Sequence, residues 1–362
     1  FCGNIKVISM ITSVIKIFIP AALSFIIGIL ITPIVTNFLY KYKFWKKNGV
    51  EKALGGGEAP ISKLLHNDEA RKTPRMGGIV VWGSVIITTL LIWMISKIFP
   101  GENTQKLDFL SRNQTWLPLL VFFAGSVIGL LDDYLVVSNK GSYVGGGLSL
   151  KTRLSAVFLV ALIGGWWFFF KLDISSIIIP FWGEINLGLM LIPVFIIFMI
   201  GIYSGGIIDG VDGLAGGVFS VMYASYALIA FFNNQIDLSA LCLVIVGGLL
   251  AFLWFNIPPA RFFLSETGTM ALTMTLVVIA FLTRSVGVLP IIAFPLIATS
   301  LSSLVQILSR KTIGRKVFAV APLHNHFQAK GWPAYKVTMR YWIISMFFAV
   351  LGIIIFLIGQ VN

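Results

Sequence analysis

Charge is scarce in this chain. Only 11% of its 362 residues are Asp, Glu, Lys or Arg, against about 25% in an ordinary soluble domain. With 57% hydrophobic side chains and a mean hydropathy of +0.94, a soluble globule of this length is excluded. Cysteine is nearly absent. Cys2 and Cys242 stand far apart and neither belongs to a Cys-x-x-Cys pair, so no disulfide framework or zinc site is implied, and Cys242 reads as a small buried apolar residue. Histidine occurs three times. No polar segment is long enough to fold alone: the longest, 41–76 and 310–340, fall short of the roughly 40 residues below which a domain needs outside help. There is no internal repeat of the kind many secondary transporters carry, and no compact basic domain, which argues against a nucleic-acid partner despite a net charge of +13.

Long apolar runs, by contrast, recur along the whole chain. Helices rather than a barrel are expected, because barrel strands alternate and are only about 10 residues long. Ten spans are predicted, at about 17–40, 77–99, 116–138, 154–172, 188–204, 214–233, 238–256, 268–284, 286–309 and 341–359. The first is followed by "YKYKFWKK" with no small-residue cleavage site, which predicts a retained span. With the N-terminus outside, 20 of the 27 basic residues fall in cytoplasmic segments; the other seven are Lys6, Lys16, Lys97, Lys106, Arg112, Lys171 and Arg284. Both termini are therefore expected outside. The fold class is an all-α, polytopic membrane protein, with residues 1–362 as one domain. Its main cytoplasmic loops are 41–76 and 310–340, and "DISSIIIPFWGEINL" (173–187) is expected to form a hairpin at the outer surface.

The 14 acids are distributed unevenly. Glu102, Asp108, Asp173, Glu184 and Asp237 are expected outside, and Glu51, Glu58, Asp68 and Glu69 in the first cytoplasmic loop. The remaining five, Asp132, Asp133, Asp209, Asp212 and Glu266, all fall at cytoplasmic ends of spans. A carboxylate beside hydrocarbon is costly unless paired, hydrated or bound to a cation, so its default reading is functional. Any one of them could be an ordinary solvated residue at a helix end; five together, in glycine-rich and otherwise uncharged surroundings, read as one site. Oxygen ligands without cysteine suit a hard ion, Mg²⁺ or Mn²⁺. In "SGGIIDGVDGLAGG" the glycines let the backbone turn sharply beside Asp209 and Asp212 and expose amides to a metal-bound phosphate. In "FNIPPARFFLSETGT", Arg261 is a fixed cation and Phe263 either a stacking platform or a membrane-interface anchor. Arg153, at the end of the basic 138–153 segment, is a second candidate substrate contact. In "APLHNHFQAKGWP", His324 and His326 lack a helix-spaced partner or a cysteine, so phosphate or sugar contact is a better assignment than zinc, and two histidines in a solvated loop is the bland alternative.

In chain order, "TPRMGG" (73–78), "LLDDY" (130–134), "DGVDGLAGG" (209–217), "FNIPPARFFLSETG" (255–268) and "APLHNHFQAKGWP" with the following "KVTMRYWIIS" resemble the polyprenyl-phosphate N-acetylhexosamine-1-phosphate transferases. The histidine loop followed by "KGWP" is similar to the phospho-N-acetylmuramoyl-pentapeptide branch; the aspartate motifs identify only the superfamily. The resemblance implies ten helices, both termini outside and a cytoplasmic active site in a bacterial inner membrane. It implies Mg²⁺-dependent transfer of phospho-N-acetylmuramoyl-pentapeptide from its uridine diphosphate carrier to undecaprenyl phosphate, giving lipid I and UMP in peptidoglycan synthesis. The partners are those two substrates and the bilayer, and a homodimer is compatible with this assignment. By the same resemblance Asp132, Asp133, Asp209 and Asp212 match the two acidic motifs, Glu266 stands where the family has its magnesium-binding Asp, and Asn256 and Phe263, with Gly213 and Leu214 beside them, match the uridine pocket. His324 and His326 match the outer members of a His triplet. Four positions depart from the pattern: Val136 where Lys is common, Gly206 for Asn, Asn325 for the middle His, and Glu266 for Asp.

Two alternatives stand beside this reading: a related transferase moving N-acetylglucosamine phosphate, and an inactive paralogue that binds lipid phosphate. A transporter is disfavoured because its acids would sit near the bilayer midplane. The charge asymmetry makes a direct prediction. Single cysteines introduced into 41–76 or 310–340 are expected to resist an impermeant thiol reagent applied to intact cells, and labelling of either segment would invert the topology.

Overall fold

The computed structural model describes residues 2–45, 72–111, 114–140 and 146–361. Glu51, Glu58, Asp68 and Glu69 lie outside the described residues. The ten principal helices are α1 (Cys2–Lys41), α2 (Gly78–Ile98), α3 (Trp116–Ser138), α4 (Leu150–Lys171), α5 (Leu191–Ser204), α6 (Leu214–Phe232), α7 (Ile236–Asn256), α8 (Ser265–Leu282), α9 (Phe294–Thr312) and α10 (Ala334–Val361). Short helices cover Glu102–Leu107, Leu289–Ile292 and Leu323–Ala329. Among the described residues nine helical stretches are long and apolar enough to cross a membrane, and a bent pair raises the number to ten.

That pair is where the expected continuous span 286–309 differs from the structure: Val286–Ile292 and Phe294–Thr312 meet at 71°. Pro295 lies at the start of α9. It has no backbone N–H to donate to the preceding turn, so the hydrogen-bond ladder of the first segment cannot continue through it, and α9 starts afresh after Ala293. Beyond the bend, Leu301, Leu304, Val305 and Leu308 are exposed at the spacing of a single helix face.

The segment 173–187 contains an antiparallel pair, β1 (Ser176–Ile179) with β2 (Gly183–Asn186), in the register Ile177 to Ile185. Arg284, just past the end of α8, pairs with Glu184 of β2. Lys16 of α1 pairs with Asp237 of α7 at 2.6 Å. These contacts belong to the end of the bundle away from the first turn of α8.

α8 forms the centre. It is buried along nearly its whole length, α6 and α7 along most of theirs, and α1 and α10 along little. In a bilayer, lipid tails are as apolar as leucine, so close helix packing depends on small residues that let backbones approach. A Cβ at Gly129 of α3 would stand 2.1 Å from the Glu266 carbonyl oxygen, one at Gly125 2.8 Å from Ala271 Cα, and one at Gly78 of α2 2.4 Å from the Gly268 nitrogen. α2 and α3 therefore meet the first half of α8 backbone to backbone. One turn beyond Gly129, the aspartate pair of α3 comes beside the N-terminus of α8.

Gly129→Ala should cost about 1–3 kcal/mol, as overpacking does, because the obstructing atoms belong to the backbone of Glu266 and Thr267. A lowered unfolding midpoint in detergent would report it. Gly201→Ala, with no heavy atom within 4 Å of the added carbon, should leave that midpoint unchanged.

Candidate active site

The first amides of any helix lack intrahelical acceptors and carry the positive end of its dipole. At α8 those donors meet carboxylates from two other segments. Asp209 Oδ2 accepts from the Ser265 amide at 2.6 Å. Asp133 Oδ2 accepts from the Thr267 amide at 2.9 Å and from Thr267 Oγ1 at 2.6 Å. Residues on both sides of Glu266 are thus held by acids remote in sequence. Ser265 has φ +55°, uncommon for a non-glycine residue, and the Asp209 bond anchors it there. Desolvation pushes the Asp209 carboxyl up to about 6, against the Ser265 amide and Arg75, which lower it.

Arg153 joins the remaining two acids. Its Nε donates to Asp132 Oδ1 and its Nη1 to Glu266 Oε1, each at 3.0 Å. The Leu148 amide also donates to Asp132 Oδ1, at 2.7 Å. Gly147 makes this cradle possible: its φ is +88°, and a Cβ there would lie 2.9 Å from Asp132 Oδ1. Asp133 Oδ1 receives Arg75 Nε at 3.0 Å. Three carboxylates thus share two guanidinium groups, leaving one negative charge. Asp132 Oδ2 is buried and has no hydrogen-bond partner among the described residues, and Glu266 Oε2 has only a 3.4 Å contact with Thr269.

No cluster of three acidic, histidine or cysteine ligands occurs among the described residues, so an all-protein cage is absent there. Mg²⁺ does not require one, since it is commonly held by one or two carboxylates plus substrate phosphates. An orphaned buried carboxylate oxygen beside a second carboxylate, with net negative charge, fits that pattern.

The second acidic motif is folded by its surroundings. Asp212 Oδ2 accepts from the Ala260 amide at 3.2 Å, and its carbonyl accepts from Thr338 Oγ1 at 2.9 Å. Gly213, at φ +76°, donates its amide to Asn256 Oδ1 at 2.9 Å, and Asn256 Nδ2 donates to the Phe262 carbonyl at 2.8 Å. Asn256 is buried, and both ends of its amide already serve the backbone. Leu214 is also fully buried. Phe263 is half-buried, and its backbone pairs with Pro74 and Gly77. Arg261 is exposed with its guanidinium 5.4 Å from the Phe255 ring, and it forms no ion pair among the described residues.

The histidine loop reaches the same place. His324 is buried, and a Cβ at Gly210, between the two motif aspartates, would lie 2.5 Å from its Nε2. His326 Nδ1 accepts from the Ala319 amide at 3.1 Å, so its neutral ring carries the proton on Nε2. Burial, then Lys330, holds its pKa below the ordinary imidazole value. Trp332 stacks on Phe327 at 4.8 Å and carries the Arg340 guanidinium 4.1 Å from its ring.

The geometry brings Asp132, Asp133, Arg153, Asp209 and Glu266 together around the first turn of α8, and His324 against the Asp209–Asp212 loop. Arg261 stands apart. Sequence reasoning assigned no role to Arg75, Thr267 or Gly147. The signal for Arg75 was its place in "TPRMGG", and that for Thr267 its position next to Glu266.

The profile of glycosyl transferase family 4 matches residues 115–284, the stretch from α3 through the end of α8. Similarity to individual proteins extends further. The phospho-N-acetylmuramoyl-pentapeptide-transferase of Anoxybacillus flavithermus is 33% identical over 343 residues, covering 94% of this chain and 97% of the relative. The protein of the same name from Geobacillus kaustophilus is 32% identical, with 94% and 97% covered. That from Caldanaerobacter subterraneus is 31% identical, with 91% and 96% covered. The chain belongs to the phospho-N-acetylmuramoyl-pentapeptide-transferase family. Arg75 and the histidine loop lie outside the stretch matched by the family 4 profile.

Asn256 is a sensitive point in this transferase. Asn256→Asp keeps the shape but turns the donor toward Phe262 into a second acceptor, which should cost about 1–3 kcal/mol for the unmet carbonyl. A lowered unfolding midpoint with the fold retained would report it.

Proposed function

We propose that this protein transfers phospho-N-acetylmuramoyl-pentapeptide from UDP-N-acetylmuramoyl-pentapeptide to undecaprenyl phosphate, releasing UMP and forming lipid I, as a multi-pass protein of a bacterial plasma membrane. The observation that carries this reading is near full-length similarity to transferases of that name. The acidic site at one end of the bundle supports it, since a phosphoryl acceptor anchored in lipid must be met at a membrane surface.

The reaction is an in-line attack of a lipid phosphate oxygen on the phosphorus next to the sugar, and the protein's part is to align two anions and neutralise charge. Asp132 and Glu266 would hold a Mg²⁺ ion, which when bound offsets the charge of the pyrophosphate. Arg153 bonds one oxygen of each carboxylate, and Asp133 and Asp209 fix the backbone on either side of Glu266. A phosphate monoester has a second pKa near 6, so at neutral pH the acceptor is mostly dianionic and gains little from a general base. Asp132 therefore serves metal contact and Asp133 orientation, through its bonds to Thr267, rather than either abstracting a proton. His326, neutral and protonated on Nε2, is suited to donate to a phosphate or sugar oxygen. Asp212, Asn256, Phe263, Gly213 and Leu214 build the walls of the nucleotide site, with Leu214 limited to its backbone.

Purified protein given both substrates and Mg²⁺ should release UMP, and replacing the nucleotide sugar with UDP-N-acetylglucosamine should not. Glu266→Gln keeps the size and removes the charge. Turnover is expected to fall at least about 100-fold, the upper range for disturbing a metal ligand's supports, or to require far more Mg²⁺. An unchanged magnesium profile would remove Glu266 from the site. Glu266→Asp should retain activity.

A further inference from the structure

The geometry points to Arg75 as a positioning residue that acts through Asp133 and Thr267 to place Glu266 in the site; this rests on the transferase reading above. Arg75 occupies the segment leading into α2, and its backbone is fixed on the α8 side. The Arg75 amide donates to the Phe44 carbonyl at 2.8 Å, Pro74 accepts from the Phe263 amide at 2.9 Å, and the Gly77 and Gly78 amides donate to the Phe263 and Leu264 carbonyls at 2.7 and 3.1 Å. From this base Arg75 Nε reaches Asp133 Oδ1 at 3.0 Å; the Arg75 side chain is 24% exposed and that of Asp133 0%. The other Asp133 oxygen holds Thr267 through both its amide and its hydroxyl. One line of hydrogen bonds thus runs from Arg75 to the residue beside Glu266.

A buried carboxylate is stable only when charge-paired and hydrogen-bonded. Removing the guanidinium leaves the Asp133 carboxylate buried without its charge partner, so it turns or draws in water, and either change weakens its hold on Thr267. The first turn of α8 then gains freedom, and Glu266 loses its fixed approach to Arg153 and Asp132. Residues that support a metal ligand in this indirect way typically change metal affinity or activity by about 10–100-fold. Direct contact between Arg75 and a substrate would leave a different mark, because it would not run through Thr267.

The test compares the wild type with Arg75→Met, Arg75→Lys, Thr267→Val, Thr267→Ser and the Arg75→Met/Thr267→Val double variant. Turnover number, Michaelis constants for both substrates and the Mg²⁺ midpoint of activity are measured, together with the rise in unfolding temperature that Mg²⁺ alone produces without substrate. The proposal expects Arg75→Met and Thr267→Val each to lower turnover and raise the Mg²⁺ midpoint about 10-fold or more. Michaelis constants should stay nearly unchanged, Thr267→Ser should be close to wild type, and the double variant should be no worse than the poorer single one. A raised Michaelis constant with an unaltered Mg²⁺ midpoint in the Arg75 variants would overturn it, as would strictly multiplicative losses in the double variant. Should Arg75→Met not fold, Arg75→Lys and Thr267→Val decide by the same criteria. Should the wild type release no UMP, the transferase reading fails. The Mg²⁺-induced temperature rise then decides alone: equal rises in the wild type, Arg75→Lys and Thr267→Val would overturn the positioning role.

Discussion

The arrangement depends on one interaction: carboxylates from outside α8 take up the amides of its first turn. Asp209 holds Ser265 and Asp133 holds Thr267. A helix N-terminus already favours negative charge, so these acids fulfil two needs at once. They satisfy donors that would otherwise be orphaned, and they receive a partial positive charge that offsets their burial. Glu266, caught between them, projects from a backbone that cannot shift without breaking bonds to two other segments.

The close packing of small residues makes this possible. Gly129, Gly125 and Gly78 bring α2 and α3 to backbone distance from α8, and the aspartate pair follows one turn later on α3. The second acidic motif is set from the far end of the chain, since Thr338 and Trp342 of α10 bond the carbonyls of Asp212 and Gly213. His324 packs against Gly210 in the same loop. Two segments from the last part of the sequence thus converge on the loop between α5 and α6.

Much of this was legible in the sequence. Apolar run length located the spans, because membrane thickness dictates it directly. Acids at ends of spans pointed to the candidate site, because hydrocarbon makes such placements costly, and four of the five, all but Asp212, meet around the first turn of α8. The bend before α9 was hidden within an unbroken apolar run, where Pro295 changes the backbone path without changing the hydropathy. The division of labour among the acids was hidden too. Asp132 and Asp133 are adjacent and chemically identical, yet one keeps a free buried oxygen while the other is consumed by Thr267 and Arg75. Partners remote in sequence decide that difference, and no local pattern records it. Arg75 looked like one more basic residue of a cytoplasmic loop, since positive charge there is already explained by orientation. Asn256 was read as pocket lining, and the sequence did not show that both ends of its side-chain amide also bond the backbone of Gly213 and Phe262.

The lengths of the helices bear on how the protein meets its solvent. α8 has 18 residues, about 27 Å of rise, close to the thickness of a hydrocarbon core, and it is enclosed by neighbours on nearly every side. α1 has 40 residues, is the longest of the ten and is largely uncovered by protein. A change in bilayer thickness acts on surfaces that touch lipid, through tilt and local thinning. It is therefore absorbed by the outer helices, while the depth of Glu266 is set by protein contacts alone.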